Sequence, residues 1–217
     1  MRVGVVGTGT VGQAIGGRLV ELGHEVVLGS RDSANPRAVD WAAGRGDRAR
    51  AGTFADAAEH GEIVVNATAG VASLAALEAA GAGNLAGKVL VDVANPLDFS
   101  RGFPPTLSVS NTDSLGEQIQ RAFPAARVVK ALNTMNANVM VHPAAVPGDH
   151  DVFMAGDDAE AKRTVAGLLG QFGWPAESIV DVGGIAGARG LEAYILFWVT
   201  LMGAFGTPAF NVKAVRA

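Results

Sequence analysis

The chain has 217 residues, 29 of them glycine and none cysteine, with a formal net charge of −4. That length suits one large domain, or a domain with an appendage, around a substantial core. The lack of cysteine excludes disulfides, thiolate metal sites and cysteine nucleophiles, and the acidic balance argues against a nucleic-acid partner, which would want a basic face.

An apolar run from Arg2 to Val6 enters the loop Gly7-Thr8-Gly9-Thr10-Val11-Gly12. A helix to Leu22 and a second apolar run from Glu25 to Leu28 follow. Strand, glycine loop, helix and strand form the context in which GxGxxG holds a dinucleotide. Gly7 permits the tight turn, Gly9 lets the backbone approach a pyrophosphate, and Gly12 lets the helix pack closely on the strand. The helix N-terminus then offers unpaired N–H groups and a partial positive charge to the phosphates. The competing reading is a glycine-rich turn that only joins strand to helix. At the end of the second strand an NAD site usually carries Asp or Glu; here Gly29-Ser30-Arg31 stands instead. A hydroxyl beside a guanidinium suits the 2′-phosphate of NADP(H), unless Arg31 simply pairs with Asp32 on the surface. Arg37 is either a second cation for that phosphate or a solvated helix charge.

Asn35-Pro36 reads as a helix start, with a short helix from Ala38 to Ala43 and a loop over Gly44 to Asp47. Arg50-Ala51 suggests a short third strand, and Thr53 caps a helix through Ala58. Glu62 to Asn66 is an apolar run typical of a central parallel strand, followed by Ala67-Thr68-Ala69-Gly70-Val71 and a helix to about Ala80. Val89 to Val93 is the next strand, ending in Ala94-Asn95-Pro96-Leu97-Asp98. Residues 99–112 lack periodicity and read as a long loop. Ser114 and Glu117 form a capping-box pattern for a helix to Phe123, and Arg127 to Ala131 is another strand. This alternation predicts an α/β fold of Rossmann type, a doubly wound parallel sheet covered on both faces. Ligands in such folds lie beyond the carboxyl ends of the strands. The loops 7–12, 29–32, 67–71, 94–98 and 132–138 are therefore where the site is expected. The predicted cofactor-binding set is Gly7, Thr8, Gly9, Thr10, Val11, Gly12, Ser30, Arg31, Ala67, Thr68, Ala69, Ala94, Asn95, Pro96, Asn133 and Thr134. Asp98, Asn136 and Asn138 are further polar residues on these loops.

In the last third, Asp151 to Ala155 reads as a strand and Gly156-Asp157-Asp158 as a turn. A helix to Phe172 buries Ala161, Val165, Leu168, Leu169 and Phe172, Ile179 to Val182 is a strand, and Gly183 to Arg189 leads into a final helix. The expected division is a NADP-binding Rossmann domain over 1–138 and a small C-terminal α/β lobe over 139–217 covering the cofactor cleft. The apolar run Tyr194 to Phe205 is 12 residues long, against roughly 20 for a membrane span. It reads as a buried helix, at a subunit interface, with no membrane partner. With a strand beginning at residue 2, no signal peptide is expected and the chain reads as cytoplasmic.

His24 and His60 sit at turns away from the ligand, and His142 and His150 flank a segment that reads as a solvated surface loop. No pair has metal-ligand spacing, so no metal is expected. Neither a Tyr-x-x-x-Lys pair nor a Lys or Asn within 186–200 supplies a proton donor, so no catalytic side chain is assigned. A NADP site without an acid or base suits a small-molecule redox partner that needs little protonic help, such as a flavin or deazaflavin. The protein's task is then to stack and orient two ring systems. Asn133 and Thr134 would suffice for that.

The chain resembles the NADPH-dependent coenzyme F420 reductase family (F420H2:NADP oxidoreductase). The resemblance rests on the glycine loop, Gly29-Ser30-Arg31, Val128-Val129-Lys130-Ala131-Leu132-Asn133-Thr134, Gly156-Asp157-Asp158 and the last helix, and covers nearly the whole chain. It implies NADP(H) on Ser30-Arg31 and a deazaflavin stacked between Asn133-Thr134-Met135 and the C-terminal lobe. It also implies a homodimer joined through the C-terminal helices. Many family members carry His where this chain has Asn133. The Lys-Ala-Leu-Asn-Thr form, with Ala188-Arg189 later, is also similar to the cytoplasmic NADPH/flavin reductase domain of six-transmembrane metalloreductases, so the resemblance implies F420, a flavin or an unidentified acceptor. With no transmembrane part in the sequence, a membrane ferric reductase is not expected. A non-catalytic NADP(H)-binding module or redox sensor, and an imine- or pyrroline-type reductase, are the alternatives.

Overall fold

The computed structural model describes residues 1–215. Strand β1 (Arg2–Val6) passes through the glycine loop into helix α1 (Thr10–Glu21) and returns as β2 (Glu25–Ser30). Helix α2 (Pro36–Ala43) starts on an Asn35 cap with proline in its first turn, and β3 (Ala49–Thr53) follows. Helix α3 (Phe54–His60) opens on a reciprocal capping box between Thr53 and Asp56, which satisfies two otherwise unpaired N–H groups. Strand β4 (Ile63–Asn66), helices α4 (Ser73–Ala80) and α5 (Ala82–Leu85), and strand β5 (Val89–Asp92) come next.

The segment expected to be structureless holds half of a small antiparallel ribbon, in which β6 (Leu97–Asp98) pairs with β7 (Thr106–Leu107). Two-residue strands leave no periodicity to detect. Helix α6 (Leu115–Ala122), β8 (Arg127–Ala131) and helix α7 (Ala137–Val141) follow. The chain finishes with β9 (Val152–Ala155), α8 (Ala159–Phe172), β10 (Ile179–Asp181) and α9 (Ala188–Phe205).

Eight strands form one sheet in the order β10-β9-β8-β5-β4-β1-β2-β3. It is a Rossmann-type α/β sheet, parallel except where β9 meets β8 antiparallel. Between them the chain makes α7 and a loop and re-enters the sheet from its carboxyl edge. The two C-terminal strands thus extend the sheet that carries the glycine loop. Position 138/139 falls inside α7, and one apolar cluster runs from Val3 and Ile15 to Val152 and Leu168. Among the described residues, 139–215 continue this sheet and add α9, with no separate core of their own.

The opposite face is packed by α3, α4, α5, α6 and the start of α9 around Val64, Leu90 and Val128. Helix α9 begins six residues before the apolar run that marks it in the sequence, and its first half is tied into the fold by Ala188, Leu191 and Glu192, all buried. With the preceding turn it is long and apolar enough to cross a membrane. Its outer half exposes Leu196, Phe197 and Phe205. The returning tail holds that half through Phe210 stacked on Trp198 and through Lys213 paired with Asp151 at 2.8 Å.

Two local expectations change. His150 is buried, not solvated: one ring nitrogen lies 3.1 Å from the Pro143 carbonyl, the other 2.9 Å from Asn211, and Trp174 meets it edge-on. The Ser114–Glu117 capping box is one-sided. Ser114 Oγ accepts from the Glu117 N–H at 3.1 Å, but the Glu117 carboxylate turns to Arg189, at 2.6 and 2.8 Å. A bidentate guanidinium outcompetes a single backbone donor.

Candidate functional site

The glycine loop lies where β1 meets α1. Gly7 adopts φ +119, and a Cβ there would lie 2.5 Å from the Ala67 carbonyl. A Cβ on Gly12 would lie 2.1 Å from the Gly7 carbonyl. Both glycines are therefore demanded by the fold. Gly9 is different: nothing lies within 4 Å of its would-be Cβ, so the protein itself does not require a glycine there. Helix α1 also begins with no side-chain cap and no acidic residue in its first turn, which leaves its first N–H groups free for an anion. Open space against the backbone and an uncapped helix start fit a pyrophosphate.

Two clefts meet above the carboxyl edge. One, of about 500 Å³, is lined by Gly7, Thr8, Gly9, Ser30, Arg31, Asn35, Phe54 and the flank of α4. The other, of about 440 Å³, is lined by Val11, Val71, Val93, Ala94, Asn95, Leu97, Asp98, Phe99, Met135 and Met140. They share Ala67, Thr68 and Ala69, so an extended ligand could run from one into the other across the β4 loop.

At the first cleft the Ser30 hydroxyl is buried and shapes the turn, donating to the Asp32 carbonyl at 2.5 Å and accepting from the Asp32 N–H at 3.2 Å. Asp32 spends a carboxylate oxygen on the Ala34 N–H at 2.9 Å. Among the described residues no ion pair joins Arg31 to Asp32, so the exposed guanidinium is available at the cleft wall. Arg37 is exposed on α2 and lines neither cleft.

Thr10, Gly12, Pro96, Asn133 and Thr134 line neither cleft. Gly12 is packed behind the loop and Pro96 is buried. Leu132 sits at φ 64, a region non-glycine residues seldom enter. Asn133 and Thr134, which follow it, are only 1% exposed. Asn133 acts as a brace: its amide donates to Asn95 Oδ1 at 2.9 Å and to the Leu191 carbonyl at 3.0 Å, while Asn95 donates to the Asn133 carbonyl at 2.8 Å. Among the described residues Asn133 Oδ1 and Thr134 Oγ1 have no protein partner. The cleft wall on this side comes from Met135 and Met140, whose long apolar side chains adapt to a planar ring. Met135 lies within the loop that the strand pattern marks, and Met140 just beyond it, in α7. Asn136 caps α7 and also donates to the Pro208 carbonyl, and Asn138 is exposed.

Asp98 is the one titratable group on the second cleft. The Ser100 backbone N–H, then the Ser100 side chain, holds its carboxyl below the usual range, so it stays ionised and is a poor proton donor. Beneath the cleft lies a row of buried polar side chains. Asn66, Asp92 and Lys130 are register partners on adjacent strands. Asn66 donates to Asp92 Oδ1 at 2.8 Å and accepts from Thr68 Oγ1 at 2.7 Å. Lys130 Nζ lies 2.5 Å from Asp92 Oδ2 and 2.8 Å from Glu192 Oε1, and donates to the Ala94 carbonyl at 2.7 Å. Burial disfavours the ammonium, but the two carboxylates outweigh it and its pKa is raised. Sequence reasoning missed this row. Its signal was three apolar runs, each ending in a polar residue at the same register: Asn66, Asp92 and Lys130.

A Rossmann sheet, a glycine loop with an uncapped helix start and a contiguous apolar cleft are the features of a dinucleotide-binding protein, and its similarity to known proteins makes it an NADP-dependent oxidoreductase. The family described as "NADP oxidoreductase coenzyme F420-dependent" matches residues 2–96. A structure from Arthrobacter sp. FB24, provisionally named an F420-dependent NADP-reductase, is 53% identical with a TM-score of 0.94, and the match covers 100% of both chains. The F420-dependent NADP reductase of Methanothermobacter marburgensis is 28% identical over 88% of each chain. Metalloreductase STEAP3 of Rattus norvegicus is 33% identical over 88% of this chain, which spans 36% of that protein's length. The chain belongs to the F420-dependent NADP oxidoreductase family.

Proposed function

We propose that this protein transfers a hydride between NADP(H) and a deazaflavin of the F420 type, with a flavin as the second choice of acceptor. The observation that carries the reading is the pair of clefts meeting at Ala67–Ala69. One offers backbone N–H groups and a free guanidinium; the other is walled by Val71, Val93, Phe99, Met135 and Met140. The nicotinamide supplies the hydride when bound. Gly9 and the start of α1 would hold the pyrophosphate and Arg31 the 2′-phosphate. Ala67 to Ala69 and Ala94-Asn95 would support the nicotinamide. The methionines and Phe99 would hold the second ring system and exclude water from the face where rings stack. Asp98, kept ionised, does not protonate the acceptor, so the accompanying proton comes from solvent. A carbonyl substrate would need a donor that this wall lacks; a ring that accepts hydride at carbon does not.

We further propose a homodimer built on the exposed apolar outer half of α9, with Leu196, Phe197 and Phe205, in place of a membrane contact, in a cytoplasmic protein. The test is a turnover screen of NADPH against F420, FMN, FAD and a cyclic imine. Reduction of F420 well ahead of the others is expected. Imine reduction without deazaflavin turnover would replace this reading, and NADPH binding without any turnover would leave a binding module.

A further inference from the structure

We propose that Lys130 is a positioning residue for the nicotinamide half of the cleft, holding the Ala94-Asn95 wall and α9 at a fixed separation through one buried ammonium. The proposal rests on the reading of this cleft as a NADP(H) site. Lys130 and Asp92 are fully buried and Glu192 nearly so, and none of the three lines either cleft, so none can touch a ligand. One cation faces two carboxylates. The excess negative charge is met at Glu192, which also accepts the Leu115 and Gly116 N–H groups at 2.8 and 2.9 Å, at the positive end of α6.

A network of this kind is weak evidence for stability, because apolar residues of the same volume usually do as well. What it does supply is geometry. The third donor site of Lys130 goes to the Ala94 carbonyl, and Asp92 Oδ1 takes the Ala94 N–H at 3.2 Å. Both backbone polar groups of the residue that walls the cleft are thus held by the triad. A second, independent tie joins the same two elements, from Asn95 through Asn133 to the Leu191 carbonyl. Residues 94–95 are therefore fastened twice to residues 191–192. The polar row also continues the other way, through Asn66 to Thr68, which borders both clefts. Arg31 follows β2, which lies across β4 and β1 from Asp92 and Lys130 and across β1 from Asn66.

The geometry makes a divided prediction that a purely structural role does not. In the double variant Asp92→Asn/Lys130→Met, the asparagine still accepts from Asn66 and Ala94, Glu192 still caps α6, and only the Lys130 contacts are lost. By titration calorimetry its affinity for NADP+ should fall roughly ten-fold, the scale of one charge-assisted bond. Its affinity for 2′,5′-ADP, which lacks the nicotinamide half, should stay within about two-fold. Equal losses for both nucleotides, or no loss for either, would overturn the assignment. If the variant fails to fold, hydrogen exchange on the unaltered protein decides. NADP+ should slow exchange in both 93–97 and 188–195, and 2′,5′-ADP in neither. Equal protection by the two nucleotides, or protection of 93–97 alone, would refute the coupling. An unaltered protein that binds neither nucleotide would instead remove the NADP reading, and this proposal with it.

Discussion

The glycine loop and the floor under Ala94 both shape the carboxyl edge of one sheet, and they do it by opposite means. At the loop the constraint is backbone against backbone: Gly7 and Gly12 leave no room for a Cβ, and no charged side chain takes part. Under Ala94 the constraint is side chain against side chain, with an ammonium and two carboxylates removed from water. The first arrangement tolerates no added atom but leaves nothing unsatisfied if a ligand departs. The second tolerates no lost partner, because a lone buried charge has no water to turn to.

Breaking the second arrangement should give the largest effect. Lys130→Met alone leaves Asp92 and Glu192 facing each other, and a loss of about 3–5 kcal/mol is expected, read as the denaturation midpoint. The double variant with Asp92→Asn should recover much of it. Next, Gly12→Ala forces a methyl onto the Gly7 carbonyl and should cost about 1–3 kcal/mol, as overpacking does. Gly9→Ala sharpens the contrast: stability should change by less than about 0.5 kcal/mol, yet NADPH affinity should fall, because the new methyl occupies the ligand's space. If Gly9→Ala destabilises the protein and spares binding, the open space belongs to the fold and not to a phosphate.

Arg31→Ala should weaken NADPH binding by at least about 1 kcal/mol and leave NADH nearly unchanged. Equal losses would end the 2′-phosphate assignment. The smallest effect concerns pH. Arg189 holds the Glu117 carboxyl below its ordinary value, and Arg121 pulls Asp113 down to about 2. Carboxyls depressed in the folded state contribute stability that is present above their unfolded values. That stability is lost as pH falls through the folded ones, for Asp113 between 3.8 and about 2. Glu117→Gln should flatten the acid limb of a pH–stability curve slightly, and an unchanged limb would show the Arg189 pair to be inert.

The same contrast decides what could be read in the sequence. The glycine loop, the Thr53 cap and the strand runs were legible because their causes lie within a few residues of one another. Arg31 was legible for the same reason, at the end of its strand. Asn133 was expected to meet the ligand, yet its side chain points inward to Asn95 and Leu191, contacts 38 and 58 residues away in the chain. The Lys130 row needs three strands placed in register and a helix far along the chain, and the antiparallel pairing of β9 with β8 leaves no mark in either strand's own residues. None of these is a local property. Met135 entered only through the family resemblance and Met140 not at all, because a ring-stacking wall is apolar and carries no polar mark in the sequence.

Hydride transfer itself is tested most directly by a single turnover with NADPH deuterated at the reactive nicotinamide carbon and with F420 as acceptor. The reduced deazaflavin should carry the label at its reactive ring carbon, in amount equal to the NADP+ formed. Unlabelled reduced deazaflavin, or NADPH that remains unoxidised beside F420, would contradict the account.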